Sequence, residues 1–334
     1  MLNWKRIRPQ WFIILLVLIE SVFCNPVKLH NPEIIIHVNT IVNGTWTAGK
    51  NFEDESRDIS SLFGTKIIYY NAEKKLRPST RFAKIPVSFD AREKWGKLCP
   101  SIDKILDQGS CSAAWAFSAI SVMTDRKCIA SHGKHKELLS PQDLITCCSY
   151  CGGCDGGFPQ LAWTYWQTHG IPTGGSFNDT KLCVPYSFFN CDHYVKGKHG
   201  SCHDTPMTPK CKPKCTHQSK RNYHKDLKYG GKVETFKGEF EMQETISKYG
   251  PIQCSFRVFE DFLHYKKGVY QHIKGSYVAD LSVKVLGWGI EMNVSYWLAA
   301  NSWNEDWGDG GYFKILRGNN HLNLEQECYA SIPK

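Results

Sequence analysis

The chain has 334 residues, 42% of them hydrophobic and 22% charged, an ordinary globular composition that excludes collagen-like, coiled-coil and wholly disordered architectures. That length favours about two domains, each able to bury its own core. Lysine and arginine total 41 against 32 acidic residues, for a net charge of +9. Much of this excess lies in 196–237, with no nucleic-acid-binding motif around it, so the run reads as a solvated face and nucleic acid is not an expected partner.

Residues 1–24 read as a secretory signal. Lys5, Arg6 and Arg8 form a basic start, the run WFIILLVLI from Trp11 is a short apolar core, and Val22 and Cys24 sit at the small-residue positions of a cleavage site. So short a run cannot cross ~30 Å of hydrocarbon, and no later one qualifies, so no membrane span is expected. An oxidising route decides how the 15 cysteines read. In the cytosol Cys147, Cys148, Cys151 and Cys154 would suggest a zinc knuckle; behind a signal they suggest disulfides, and no metal or cofactor is expected. Three Asn-X-Ser/Thr sequons, at Asn43, Asn178 and Asn293, fit the same route as glycosylated surface loops.

Residues 25–84 carry mixed charge and no cysteine, and read as a cleavable prosegment. The following 85–334 divide into a helix-and-loop half, about 95–228, and a mainly β half, about 229–334. In the first half, Trp115, Ile120, Met123 and Ile129 fall near helical spacing over 113–129. A second helix, over 138–148, opens with Ser140 as cap and Pro141 in its first turn. In the second half the β-branched and aromatic runs VYQHI, VKVLGWGI, SYWLAANSW and GYFKIL read as strands.

A catalytic cysteine needs a helix N-terminus that favours its thiolate, an imidazole that takes its proton, and a donor for the oxyanion. The stretch from Asp107 to Ser118, DQGSCSAAWAFS, sets a Gln and a glycine-bearing turn directly before the long helix, so residue 114 faces the positive end of that helix. Here the chain resembles the papain family of cysteine peptidases, and within it the cathepsin B group. The family motif Gln-Gly-X-Cys-Gly-Ser-Cys-Trp-Ala-Phe is matched at Gln108, Gly109, Cys111, Trp115, Ala116 and Phe117, with departures at Ser112 and Ala113. At the nucleophile position stands Ala114. Leu286-Gly287-Trp288-Gly289 and Asn301-Ser302-Trp303 match the family's second half, and counting back from Gly287 puts Leu281 at the histidine position. Asn301, the orienting position, then has no imidazole to orient, while Gln108 keeps the oxyanion position.

The resemblance implies an α+β, two-domain papain-like fold, disulfide-rich, with a helical domain, a β-barrel-like domain and an N-terminal propeptide. It implies that 44–52, GTWTAGKNF, is the inhibitory part of the propeptide. It implies the pairs Cys99–Cys128, Cys111–Cys154, Cys147–Cys211, Cys148–Cys151, Cys183–Cys215 and Cys191–Cys202, and leaves Cys254 and Cys328 as either a seventh bridge or two buried thiols. In the cleft it assigns Gly156, Gly157 and Trp303 to the binding of peptide backbone, with Asp155 in place of the usual Asn. Glu327 is placed at the base of a pocket that would favour a basic side chain. The loop 191–202 aligns with one that blocks the primed end of the cleft; His193 keeps half of its carboxylate clamp and Tyr194 replaces the other half. By the same analogy His193 would latch to Asp107 and His199 to Asp306.

Losing nucleophile and base together costs about 10⁶ in turnover, close to the cost of losing either. The expectation is therefore a catalytically inactive cathepsin B-like protein, extracellular or lysosomal and monomeric, whose cleft binds peptides, cystatin-like inhibitors or its own propeptide. A peptidase with residual activity and a secreted matrix protein on the same scaffold are the alternatives.

Overall fold

The computed structural model describes residues 30–41, 43–52, 59–67, 85–192, 198–202 and 206–334; the secretory signal, His193 and Tyr194 lie outside the described residues. In chain order the elements are α1 (Pro32–Thr40), β1 (Trp46–Ala48), β2 (Phe89–Asp90), α2 (Ala91–Trp95), α3 (Ala114–Ala130), α4 (Pro141–Cys147), α5 (Pro159–Thr168), α6 (Tyr223–Asp226), β3 (Glu234–Phe236), α7 (Gly238–Tyr249), β4 (Ile252–Phe259), β5 (Tyr265–Tyr270), β6 (Tyr277–Glu291), β7 (Val294–Ala300), β8 (Tyr312–Leu316) and β9 (Cys328–Ala330).

The long helix α3 matches its expected span within a residue, but it is not amphipathic. Every residue from Ala114 to Cys128 is buried, as expected of a helix packed on all sides. Several of its polar members are paired internally, although Arg126 Nη1 is buried without a partner. Asp125 accepts from Ser101 Oγ at 2.6 Å and from Lys284 Nζ on β6 at 3.0 Å. Burial raises the Asp125 carboxyl above its usual pKa, and Lys284 opposes that rise. Arg126 donates Nε to the Pro251 carbonyl at 2.7 Å and Nη2 to Thr245 at 3.0 Å, fastening α3 to α7 and the start of β4. The second expected helix is α4: Ser140 Oγ accepts from Asp143 N at 2.9 Å, and Pro141 opens the first turn.

The strands form one sheet in the order β1-β5-β8-β7-β6-β4-β9-β3, with β2 added against β6. VKVLGWGI lies in β6, SYWLAANSW begins in β7, GYFKIL lies in β8 after its first residue, and VYQHI gives only Val269 and Tyr270 to β5. The β6–β7 ladder begins at Lys284↔Ala300, whereas β4 pairs β6 back to Tyr277. Over Tyr277 to Val283, β6 thus has a strand on one edge only among the described residues.

All six pairings implied by the resemblance form, and Cys254–Cys328 is a seventh. Cys254 on β4 and Cys328 on β9 are direct register partners, with Cα atoms 4.3 Å apart, which is bridging distance. The N-terminal segment 44–52 docks mainly on the sheet edge and reaches the cleft only at Phe52. Its β1 adds to the sheet edge at β5, Asn51 Nδ2 donates to the Leu263 and Tyr265 carbonyls, and Phe52 packs edge-on against Trp303. The stretch 44–52, which the resemblance assigns to the inhibitory part of the propeptide, anchors on the sheet edge, and 61–67 is the part that enters the cleft.

Candidate active site

On the helical side, the turn before α3 is held by its own polar groups. Asp107 Oδ1 accepts from Gly109 N at 2.8 Å, and Gly109 takes a φ of +56° that favours glycine. Gln108 is fully buried. Its N–H donates to the Ser302 carbonyl, its carbonyl accepts from the Tyr186 hydroxyl at 2.7 Å, and its Oε1 accepts from Ser302 Oγ at 2.7 Å. These bonds fix the carboxamide, so Nε2 is aimed as a donor to the Ser61 and Cys111 carbonyls at 2.8 and 3.1 Å. Cys111 is bridged to Cys154. Ala113 offers no side-chain cap, and the Ala114 N–H, pointing out of the positive end of the helix, donates to the Phe63 carbonyl at 3.1 Å.

Across from it, Leu281 is fully buried on β6 opposite Phe256. Asn301 turns Oδ1 to the Ser302 N–H at 2.8 Å, and its Nδ2 is buried without a hydrogen-bond partner. Beside it lies a cavity of about 10 Å³, lined by Ser118, Ser282, Lys284, Asn301 and Ser302 among others, room for about one water. The amide at the orienting position orients no ring. Among the described residues all fourteen cysteines are taken up in the seven disulfides, so none offers a thiol.

Between these walls runs 61–67, held by backbone hydrogen bonds and by the buried Leu62 and Phe63 side chains. The carbonyls of Ser61, Leu62 and Phe63 accept in turn from Gln108 Nε2, Trp303 Nε1 at 2.6 Å and Ala114 N. The Gly64 carbonyl accepts from Gly157 N at 2.9 Å, and Lys66 N donates to the Gly157 carbonyl at 2.8 Å, a parallel bridge centred on Thr65. Gly64 has φ +87°, and a Cβ there would lie 1.8 Å from the Ser112 carbonyl oxygen. Gly157 is hemmed in likewise: its added Cβ would meet Trp115 and the Cys151 carbonyl at 2.5 Å. Phe63 packs edge-on over Trp303, ring centroids 5.7 Å apart.

The structure thus brings together Gln108, Ala114, Gly157 and Trp303 around one occupying segment, with Gly156 buried beside Gly64. The sequence reading did not single out Leu62, Phe63, Gly64 or Thr65, nor Ser282 and Ser255; the isolated glycine in SSLFGTK was the one available signal. Glu327 is half-buried just before β9; burial, and then the nearby Glu327, push the Tyr329 hydroxyl to a raised pKa. The buried acid is Glu325, two residues earlier, which accepts from Trp297 Nε1 and Gly318 N at 2.9 and 2.7 Å. In the loop closed by Cys191–Cys202, Asp107 Oδ2 accepts from Cys191 N. The expected latch between His199 and Asp306 does not form: His199 is exposed and gives its N–H to Asp192, because the Asp192 carboxylate folds the loop back on itself. The sequon residues Asn43, Asn178 and Asn293 are all exposed, in left-handed turns. Among the described residues no helix is long and apolar enough to cross a membrane, and no cluster of three or more His, Cys, Asp or Glu could hold a metal.

The family model "Papain family cysteine protease" matches residues 85–332. The chain belongs to the papain family. It is 41% identical over 310 residues to a cathepsin B-like cysteine proteinase of Schistosoma japonicum, covering 90% of each protein. It is 44% identical over 255 residues to cathepsin B-like cysteine proteinase 6 of Caenorhabditis elegans, covering 75% of this chain and 67% of the relative. Among solved structures it resembles procathepsin B S9 from Trypanosoma congolense, at 33% identity and a TM-score of 0.77 over 92% of this chain and 99% of that one. The papain-like α+β fold of a cathepsin B proform follows, with 61–67 as the part of the propeptide that lies in the cleft. The seven disulfides fit a secretory route.

Proposed function

We propose that this cathepsin B-like chain has lost peptide-bond hydrolysis and acts by holding extended polypeptide in its cleft. One observation carries the reading. The residue whose N–H meets the Phe63 carbonyl at the tip of α3 is Ala114, a methyl group at the nucleophile position, and the histidine position holds Leu281. No side chain at either position can form the acyl bond or accept a proton. What supports retained binding is that Gln108 Nε2, Ala114 N, Gly157 N and Trp303 Nε1 all donate to one extended segment. A peptide, a cystatin-like inhibitor loop or the chain's own propeptide presents the same carbonyls.

The relatives' names favour a second reading, a working cysteine proteinase. Its remaining assets are Gln108 and the helix terminus, which in a Ser-His-Asp peptidase stripped of its triad give about 10³–10⁴ over water. With no nucleophile there is no self-cleavage, so the propeptide stays attached until another peptidase cuts within 68–84. The test uses the full chain cut once in that stretch. Calorimetry with a cystatin-type inhibitor should report binding that Trp303→Ala weakens, while a fluorogenic peptide shows no turnover and a thiol-directed epoxide adds no mass. Turnover abolished by a single substitution would overturn the proposal.

A further inference from the structure

The cleft also holds one contact made by a side chain of the occupying segment to the sheet wall. Thr65 Oγ1 accepts from the Ser282 backbone N–H at 2.9 Å and donates to Ser282 Oγ at 3.1 Å. Ser282 Oγ lies 2.7 Å from Ser255 Oγ, its register partner on β4. Ser282 is 1% exposed and Ser255 9%. The Ser282 N–H needs a partner because it lies on the stretch of β6 that the β7 ladder does not reach. A hydroxyl is the group that suits it. One oxygen takes the N–H and gives its own proton to Ser282 Oγ, which leaves the Ser282 proton free for Ser255. An aliphatic side chain at the same place leaves a buried N–H and a hydroxyl acceptor unmet. Continuing the Cys254↔Cys328 register, Ser255 lies across from the half-buried Glu327, so the hydroxyl pair and that carboxylate face the same end of the cleft.

We infer that the cleft selects polypeptides carrying serine or threonine at the position that pairs with Gly157, through the Ser282–Ser255 hydroxyl pair, in place of the basic side chain suggested by Glu327 alone. The inference rests on the reading of the cleft as a polypeptide-binding groove and names the side-chain class it takes. Sites built around a substrate hydroxyl discriminate strongly against analogues that lack one, because their own buried polar groups are then stranded.

The test uses the full chain with one specific protease site added within 72–80, cut there, and a dye on the N-terminal fragment; release is followed by fluorescence anisotropy. T65S should release within about threefold of wild type, and T65V and T65R at least about tenfold faster, the range expected for one or two stranded groups. The T65V effect should shrink at least about threefold in the S255A/S282A background, since part of the discrimination then has no hydroxyl to act through. T65V releasing like T65S, an undiminished T65V effect in that background, or T65R releasing more slowly than wild type would each overturn the inference. Gly64→Ala separates this failure from that of the parent reading. Release accelerated by G64A but not by T65V sinks only the hydroxyl preference, whereas release unchanged by G64A sinks the cleft reading and this inference with it. The same ranking is read from synthetic heptapeptides of 61–67 with Thr, Ser, Val or Arg at the fifth position, displacing the wild-type fragment from the cut wild-type chain. That comparison requires no variant to fold.

Discussion

The two walls of the cleft hold the occupying segment in different ways. The helical wall works through groups that do not depend on side-chain identity at position 114. The N–H of Ala114 is the N–H of any residue there, and the N–H and C=O of Gly157 are likewise backbone. The sheet wall works largely through side chains, and there the residues decide everything: Leu281 is sealed against Phe256, Asn301 has a stranded Nδ2, and Ser282 with Ser255 presents hydroxyls. Backbone recognition of this kind needs no nucleophile at position 114. Proton transfer, in contrast, would need an imidazole that the Leu281 side chain does not supply.

Two substitutions or conditions break the occupied cleft at different points. The larger effect is expected from Gly64→Ala on the helical wall. An alanine at φ +87°, with its Cβ 1.8 Å from the Ser112 carbonyl oxygen, should cost at least about 3 kcal/mol, roughly a hundredfold or more in the affinity of the cut N-terminal fragment. Unchanged affinity would mean that the segment does not hold the cleft by its backbone.

A comparable or slightly smaller effect is expected from acid, and it acts on the anchor rather than on the cleft. Asn31 N donates to His264 Nε2 at 3.3 Å, and the His30 ring lies edge-on to it, centroids 6.3 Å apart. Burial, and then the neighbouring His30, lower the His264 pKa to about 4, against the opposing pull of Asp261. A histidine whose pKa is depressed in the docked state favours docking in its neutral form. The share of that depression due to the docked segment is complete above the ordinary histidine pKa of about 6.5 and is lost as pH falls toward about 4, with about 3 kcal/mol as its ceiling. The cut fragment should therefore bind up to roughly a hundredfold more weakly at pH 4 than at pH 7. His264→Gln should flatten the profile, while G64A should shift it without changing its shape. A His264→Gln profile as steep as wild type would place the acid sensitivity elsewhere.

Much of the scaffold was legible, for identifiable reasons. The α3 helix was marked by the spacing of Trp115, Ile120, Met123 and Ile129, and α4 by the Ser140-Pro141 cap. The strands from β5 to β8 were marked by their β-branched and aromatic runs. Pairing was not legible from the residues, because alternation along a strand does not reveal which strand lies beside it. The six disulfides came through the family resemblance, and Cys254–Cys328 became readable only once β9 was seen to lie against β4. Glu325 and Glu327 illustrate the same gap. Two acids two residues apart carry no sign of which is buried until Trp297 Nε1 and the Gly318 N–H are seen to converge on Glu325. The occupying segment escaped notice because its contribution is a row of carbonyl oxygens, which every residue carries. Ser282 was passed over as the neighbour of Leu281, although it is the residue that touches what lies in the cleft.

The most direct measurement is turnover of a fluorogenic peptide by the chain cut within 68–84, comparing wild type, Ala114→Cys, Leu281→His and the double variant. Hydrolysis in the double variant alone, with both single variants silent, is the expected result, because a thiol without its base and a base without its thiol each leave about the same deficit. Hydrolysis by the wild type at a rate comparable to the double variant would contradict the account.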